Sequence, residues 1–330
     1  MPKLTLHGEC WVITDTAAGN QRQALALANG LHLPTRHLVL QPRAPWSWLA
    51  PRLELGGRLA LPAGQRQLFA PPWPAVAIGC GRAAALFTRM LRRLSAGRCH
   101  TVQILNPRID PRHWDLVIAP QHDQLAGPNV IQPLGSLNPI DDAWLADGRD
   151  ACPQFAELPQ PRVGVLLGGP RHGITLDADY ARQLATRLLE RQRREGGSLL
   201  VLGSRRTPAA LIEVFRPMLE GTPGLLWGGR DDGRNPYPAV LGWADQLVVT
   251  PDSVNMLSEA CAVGCPVLTL VNAPLPSKIQ RFHQALRAAG LLHDIDASPL
   301  TRQPPLRETG PIAALVHAQI STAQALSAAD

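Results

Sequence analysis

Short apolar runs rich in β-branched residues recur along this chain, and segments of helical periodicity separate them. In the first half the runs are CWVITD (10–15), RHLVLQ (36–41), AVAIGCG (75–81), TVQILN (101–106), DLVIAP (115–120) and NVIQPL (129–134). RVGVLLGG (162–169), SLLVLGS (198–204), GLLWGG (224–229), QLVVTP (246–251) and PVLTLV (266–271) repeat the scheme in the second half. Runs without polar alternation suit strands buried on both faces, which are strands of parallel sheets. RQALALANGL, RAAALFTRMLRRL and ADYARQLATRLLERQRREGG read as intervening helices, the last with Asp177 as N-cap and Gly196 or Gly197 as its stop. The pattern predicts an α/β protein of two facing, Rossmann-like, doubly wound domains, 1–145 and 162–295. A polar, proline-bearing linker (146–161) is expected between them, with 296–330 as a C-terminal tail or helix. That organisation predicts a ligand cleft between the carboxyl ends of the two sheets.

Residues 42–74 break the alternation. They carry Trp46, Trp48, Trp73 and Phe69 together with Arg43, Arg52, Arg58 and Arg66. Aromatic rings at headgroup depth with arginines facing phosphates would let this insertion rest on an anionic membrane or hold a lipid-linked acceptor. The plain alternative is an irregular hairpin packed on its own domain. Charge is uneven: residues 1–155 hold 15 Lys+Arg against 10 Asp+Glu (+5), and residues 156–330 hold 17 against 16 (+1). The basic residues of the first half are dispersed, with no nucleic-acid module, so no nucleic-acid partner is expected. Six scattered cysteines show no CxxC pair, and no metal or cofactor is expected of them. MPKLTLHGECWVITD lacks a signal-peptide core, and no stretch reaches the roughly 18 apolar residues of a membrane span. A cytoplasmic location is expected, with peripheral contact at the inner membrane.

In parallel α/β units the functional groups gather where strands end. In the second half the candidates are Gly168 and Gly169, then Ser204-Arg205-Arg206-Thr207, then Asn235 and Tyr237, and finally Asp252-Ser253 with Asn255, Met256 and Glu259 on the helix that follows. Glycines let a ligand approach the backbone, and guanidiniums beside a helix start suit a diphosphate. Thr207-Pro208 reads as a capping hydroxyl with Pro at the first helical position. Together the loops point to a nucleotide or phosphosugar site. No G-x-G-x-x-G or G-x-x-x-x-G-K-[ST] pattern occurs, which leaves dehydrogenase and P-loop readings unsupported. In the first half Asp15 and His122 are the candidate catalytic bases. Gly19, Asn20, Gln23, Gly81, Arg82 and Asp123 lie in the loops beside them.

WVITDTAAGNQRQALALANGL, IGCGR, ILNPRIDPRHWDLVIAPQHD, LLGGPRHG, LGSRRTP and NPYPAVLGWADQLVVTPDSVNMLSEACAVGCPV, in that order, resemble a bacterial member of the mitochondrial fission factor family first named for a plant elongated-mitochondria protein. The resemblance implies a glycosyltransferase-B-like fold. PDSVNMLSEACAVGCPVL is also similar in spacing to the nucleotide-binding stretch of the N-acetylglucosaminyl transferase that makes lipid II. By that likeness Asp252-Ser253 is the turn facing a diphosphate and Glu259 holds the ribose hydroxyls. Asp252 stands where that enzyme has glycine, and a carboxylate there would repel a diphosphate unless it capped the helix or Arg205 or Arg206 neutralised it. The resemblance implies a metal-independent transferase that uses a nucleotide-diphosphate sugar and acts on an envelope lipid or saccharide. A sugar-nucleotide epimerase of the same fold and a non-catalytic adaptor remain open beside it, the adaptor's protein partner unknown.

Overall fold

The computed structural model describes residues 6–297 and 301–327. Its strands are β1 (Cys10–Thr14), β2 (Thr35–Val39), β3 (Val76–Cys80), β4 (His100–Ile104), β5 (Leu116–Ile118), β6 (Val130–Ile131), β7 (Arg162–Leu167), β8 (Ser198–Gly203), β9 (Gly224–Trp227), β10 (Gln246–Val249), β11 (Val267–Thr269) and β12 (His293–Asp294). The helices are α1 (Ala18–Asn29), α2 (Trp46–Leu49), α3 (Arg82–Leu94), α4 (Asp142–Ala151), α5 (Ala178–Glu195), α6 (Ala209–Met218), α7 (Tyr237–Trp243), α8 (Val254–Cys261), α9 (Ser277–Ala288) and α10 (Thr309–Ser327). All eleven strands expected from the sequence form; β12, two residues long, is the addition.

The chain divides into two compact units, 1–139 with 308–330, and 140–307. Each holds one six-stranded parallel sheet, ordered β2-β1-β3-β4-β5-β6 in the first unit and β12-β11-β10-β7-β8-β9 in the second. The strand order reverses between β1 and β3 in the first sheet and between β7 and β10 in the second. Loops leaving the carboxyl ends of those neighbours are where such sheets bind ligands.

In the first unit, β1 shows why the apolar runs lack alternation. Cys10 and Val12 pack with Leu27 and Leu31 from the α1 region and with Ile312, Val316 and Ile320 of α10. Trp11 and Ile13 face the opposite layer, against Leu86, Phe87 and Met90 of α3. Both faces of the strand are covered, so both residue parities are apolar. The 42–74 insertion builds part of that second layer: Ala50, Ala60, Leu61 and Phe69 are buried in it, and Trp46 and Trp73 are partly buried against it. Most of the insertion's aromatic content is thus core, and Trp48 alone of its three tryptophans is exposed.

The C-terminal helix completes the first unit. Glu308 accepts the backbone N–H groups of Leu134 (2.8 Å) and Gly135 (2.9 Å), and a Cβ on Gly30 would lie 2.6 Å from Ala313 Cβ, so α1 and α10 run in close contact.

In the second unit, α4 starts inside the expected first domain and runs into the expected linker. Asp141 caps it by accepting Trp144 N–H at 2.8 Å. It packs on α7 through two glycines: a Cβ on Gly148 would stand 2.3 Å from Pro238 O, and one on Gly242 2.7 Å from Leu145 O. Backbone meets backbone there, leaving no room for a methyl group. Gly148→Ala therefore costs about 1–3 kcal/mol of overpacking, measured as a lower urea midpoint with an unchanged slope.

Candidate functional site

At the reversal of the second sheet, β7 runs out into Gly168-Gly169-Pro170 and β10 into Thr250-Pro251-Asp252-Ser253. Asp252 has no exposed surface, so its carboxylate is satisfied from within. Oδ1 accepts the Thr250 hydroxyl at 2.7 Å. Oδ2 accepts the Arg206 guanidinium at 2.9 Å and the Gly169 N–H at 3.3 Å. Thr250 Oγ1 also accepts the Gly168 N–H at 2.8 Å, and Arg171 donates to the Asp252 carbonyl at 2.9 Å. One carboxylate thus ties together the loops after β7, β8 and β10. Its charge is enclosed by the protein and paired with Arg206.

The two glycines serve this arrangement. A Cβ on Gly168 would stand 2.0 Å from Asp252 Oδ1, and one on Gly169 2.1 Å from Arg206 O. The space that their missing side chains leave is filled by the protein's own carboxylate and backbone. Thr207 does not cap α6; Pro208 occupies the N-cap position. The Thr207 hydroxyl instead lies 2.7 Å from the Leu167 carbonyl and accepts the Ser204 N–H at 2.7 Å, closing the turn on the end of β7. Arg171, Arg205 and Arg206 are exposed at these loops.

Ser253 caps α8, its Oγ accepting the Met256 N–H at 3.3 Å. The cap leaves the positive end of the α8 dipole beside the arginines. Glu259, one turn further on, is buried and accepts the phenol hydroxyl of Tyr237; Asn235 holds the Tyr237 N–H at 3.0 Å. The structure therefore brings Gly168, Gly169, Ser204, Arg206, Thr207 and Asp252 into one network, and Asn235, Tyr237 and Glu259 into a second. Asn255 lies in the first turn of α8.

Beneath the site, His283 of α9 is buried and its Nε2 donates to the Pro251 carbonyl at 3.0 Å. Burial pushes its pKa down to about 4. Buried Tyr180 donates to the Leu270 carbonyl at 3.1 Å; its pKa is raised, by burial first and the Asp252 charge second. Thr250, Arg171 and His283 are parts of the network that the sequence did not single out. Thr250 and Arg171 do adjoin motifs that it did, Pro-Asp-Ser and Gly-Gly-Pro.

In the first unit Asp15 leaves β1 at the reversal. Its Oδ1 accepts the Ala17 N–H (2.9 Å), and the Asn20 amide reaches Oδ1 (3.0 Å) and Oδ2 (3.1 Å). Gly81 adopts φ +90°, and a Cβ there would stand 2.6 Å from Asn20 Nδ2, so the β1 and β3 loops meet at this point. Buried Gln23 is 3.4 Å from the Gly19 carbonyl. Arg82 donates to the Ser47 carbonyl at 3.1 Å. His122 and Asp123 sit in a short 3-10 turn after β5, with His122 buried. Among the described residues, no group of three or more His, Cys, Asp or Glu is placed to hold a metal ion. No described helix is long and apolar enough to cross a membrane. Burial pushes the Cys261 and Cys265 thiols up to about 12, as inert structural thiols require.

Two parallel sheets with polar loops at their reversals define a GT-B-like α/β protein. The UDP-GlcNAc 2-epimerase of Methanocaldococcus jannaschii is similar in structure, with TM-score 0.54 and 11% identity over 94% of this chain and 99% of that one. Os79 of O. sativa gives TM-score 0.52 and 13% identity over 94% and 93%. Within that fold the chain belongs to the Mitochondrial fission ELM1 family, which it matches over residues 18–320. It is 31% identical over 285 residues to the mitochondrial fission protein ELM1 of Arabidopsis thaliana, a match covering 78% of this chain and 66% of the plant protein. An uncharacterised protein of Rickettsia prowazekii is 24% identical over 295 residues, 78% of this chain and 81% of that one.

Two consequences are measurable. Asp252→Ala leaves buried donors without a partner, and Arg206→Gln leaves a buried carboxylate without its cation, so each costs about 2–3 kcal/mol of unfolding free energy. Chemical denaturation of both variants beside wild type checks the two losses. Because His283 binds a proton more weakly folded than unfolded, its contribution is complete above about pH 6.5 and is lost as pH falls towards 4. Wild type therefore loses about 1.5 kcal/mol more than His283→Gln between pH 6.5 and pH 5, read from denaturation midpoints at the two pH values.

Proposed function

We propose that the second unit binds a nucleotide-diphosphate sugar at the β7/β10 reversal, and that the protein is a metal-independent glycosyltransferase-like enzyme with an envelope lipid or saccharide acceptor. One observation carries the reading: Asp252 is turned inward on Arg206, so exposed Arg171 and Arg205 and the positive end of α8 set the outward potential. A diphosphate suits that potential. Glu259, with Tyr237 against it, is the group assigned to the ribose hydroxyls. Asp15 and His122 of the first unit are the bases proposed for the acceptor hydroxyl. The Methanocaldococcus jannaschii epimerase has been solved with UDP-GlcNAc and UDP, and an Os79 variant with UDP, which makes uridine nucleotides the first probes.

A second reading has its own support. Asp252 fills the space before Gly168, and Tyr237 occupies a Glu259 oxygen, so both networks are closed without a ligand. A non-catalytic adaptor needs no more than that, and the family's plant relative carries the name of a fission protein. An epimerase differs from a transferase in turning over its sugar nucleotide with no acceptor present.

Thermal denaturation with UDP, UDP-GlcNAc and the GDP, ADP and CMP sugars at millimolar concentration decides between binder and adaptor. A nucleotide binder gains stability by mass action, about 2.7 kcal/mol at a hundredfold excess over Kd, and Glu259→Ala abolishes the gain. No gain with any nucleotide favours the adaptor. A gain that survives Glu259→Ala removes that residue from the site.

A further inference from the structure

Five large apolar side chains stand exposed within residues 39–59: Val39, Trp48, Leu49, Leu55 and Leu59, with Leu55 85% and Trp48 74% accessible. Over all the other described residues only Leu315 joins them. Soluble surfaces scatter such residues singly, so a cluster in one short stretch calls for an occupant.

The backbone that presents them is held from below. Arg82 of α3 donates to the Ser47 carbonyl at 3.1 Å, and Arg89 of the same helix donates to those of Pro51 (2.9 Å) and Arg52 (3.3 Å). The Trp46 indole N–H donates to the Leu55 carbonyl at 3.0 Å, joining α2 to the loop that follows. Gly57 lies so close to α3 that a Cβ would stand 2.4 Å from Met90 Sδ. The carbonyls and small residues are engaged with the unit, while Trp48 and Leu55 project from it.

Charge selects the occupant. Arg43, Arg52 and Arg58 are exposed among the apolar side chains, and neither Arg43 nor Arg58 is ion-paired among the described residues. Glu54 is the one acidic residue between 41 and 74, and both its oxygens are taken, by Arg89 at 3.2 Å and Arg93 at 2.5 Å. The stretch therefore shows water apolar groups and unopposed positive charge. Protein interfaces use arginine and tryptophan too, but in a densely packed apolar centre with a polar rim. Protruding Trp and Leu interleaved with arginine match a headgroup layer instead.

We propose that this surface docks on an anionic lipid bilayer, with Trp48, Leu49, Leu55 and Leu59 entering the boundary between headgroups and acyl chains. Arg43, Arg52 and Arg58 meet the lipid phosphates. The docking site belongs to the first unit alone and stands whether or not the second unit binds a sugar nucleotide.

Flotation of the full chain with vesicles of phosphatidylcholine, and of phosphatidylcholine with phosphatidylglycerol, tests it. Wild type floats with the anionic vesicles and not with the neutral ones, and less at high salt because arginine–phosphate attraction is screened. Trp48→Ser with Leu55→Ser lowers partitioning about tenfold or more. Arg43→Gln with Arg58→Gln removes the preference for phosphatidylglycerol. All four side chains being exposed, the melting temperatures of both variants stay at the wild-type value. Wild type that fails to float with anionic vesicles overturns the proposal, as does flotation that Trp48→Ser/Leu55→Ser retains. A concentration-dependent dimer that this variant abolishes, without flotation of wild type, would assign the surface to a second copy of the chain and overturns it equally.

Discussion

A carboxylate with no exposed surface has to find its partners inside the protein, and Asp252 finds them on three loops at once. Thr250, the Gly169 amide and Arg206 bring together segments far apart in sequence. The geometry of the loop ends at the second sheet's reversal depends on that meeting. Remove the charge, and the turn after β8 loses the ion pair that holds it to the turn after β10, while the turn after β7 keeps its bond to Thr250. The glycines at 168 and 169 are needed because the carboxylate and the Arg206 carbonyl come so near. In many sheets of this class a glycine there admits a ligand; in this one it admits the protein.

That reversal of roles marks the limit of what the sequence could tell. The strands were legible because a parallel sheet covered on both faces demands apolar residues at every position, and β7 and β8 are buried throughout. The GT-B-like fold followed from the alternation and the resemblance together. Gly168, Gly169, Arg206 and Asp252, which the sequence offers as separate loop candidates, meet at one end of the sheet. Which way the Asp252 carboxylate points was not legible, because orientation depends on residues such as Thr250 and Arg171 that no periodicity distinguishes. Thr207-Pro208 carried a sound helix-start signature, yet a hydroxyl serves whichever donor or acceptor lies nearest, and that was the end of β7.

The insertion at 42–74 was legible in kind and not in detail. Aromatic and arginine content set it apart, but composition does not sort side chains by face. Phe69 and most of Trp46 and Trp73 pack on the first sheet, whereas Trp48 and Leu55 do not. Irregular structure hides this sorting from any pattern reading, since no fixed period relates sequence spacing to direction. The segment around 142–151 was obscure for a related reason. A helix carrying few apolar residues can still pack closely when glycines on both partners let their backbones touch, as Gly148 and Gly242 do.

The placement of α10 bears on how the chain comes to be folded. The core beside β1 includes Ile312, Val316 and Ile320, residues made after the whole of the second unit, while the second unit is one uninterrupted stretch. During translation the later-made unit therefore has its whole sequence in hand before the earlier-made one does. Until α10 arrives, the part of this core that Ile312, Val316 and Ile320 fill has no cover from them. Order of manufacture and order of completion run in opposite directions along this polypeptide.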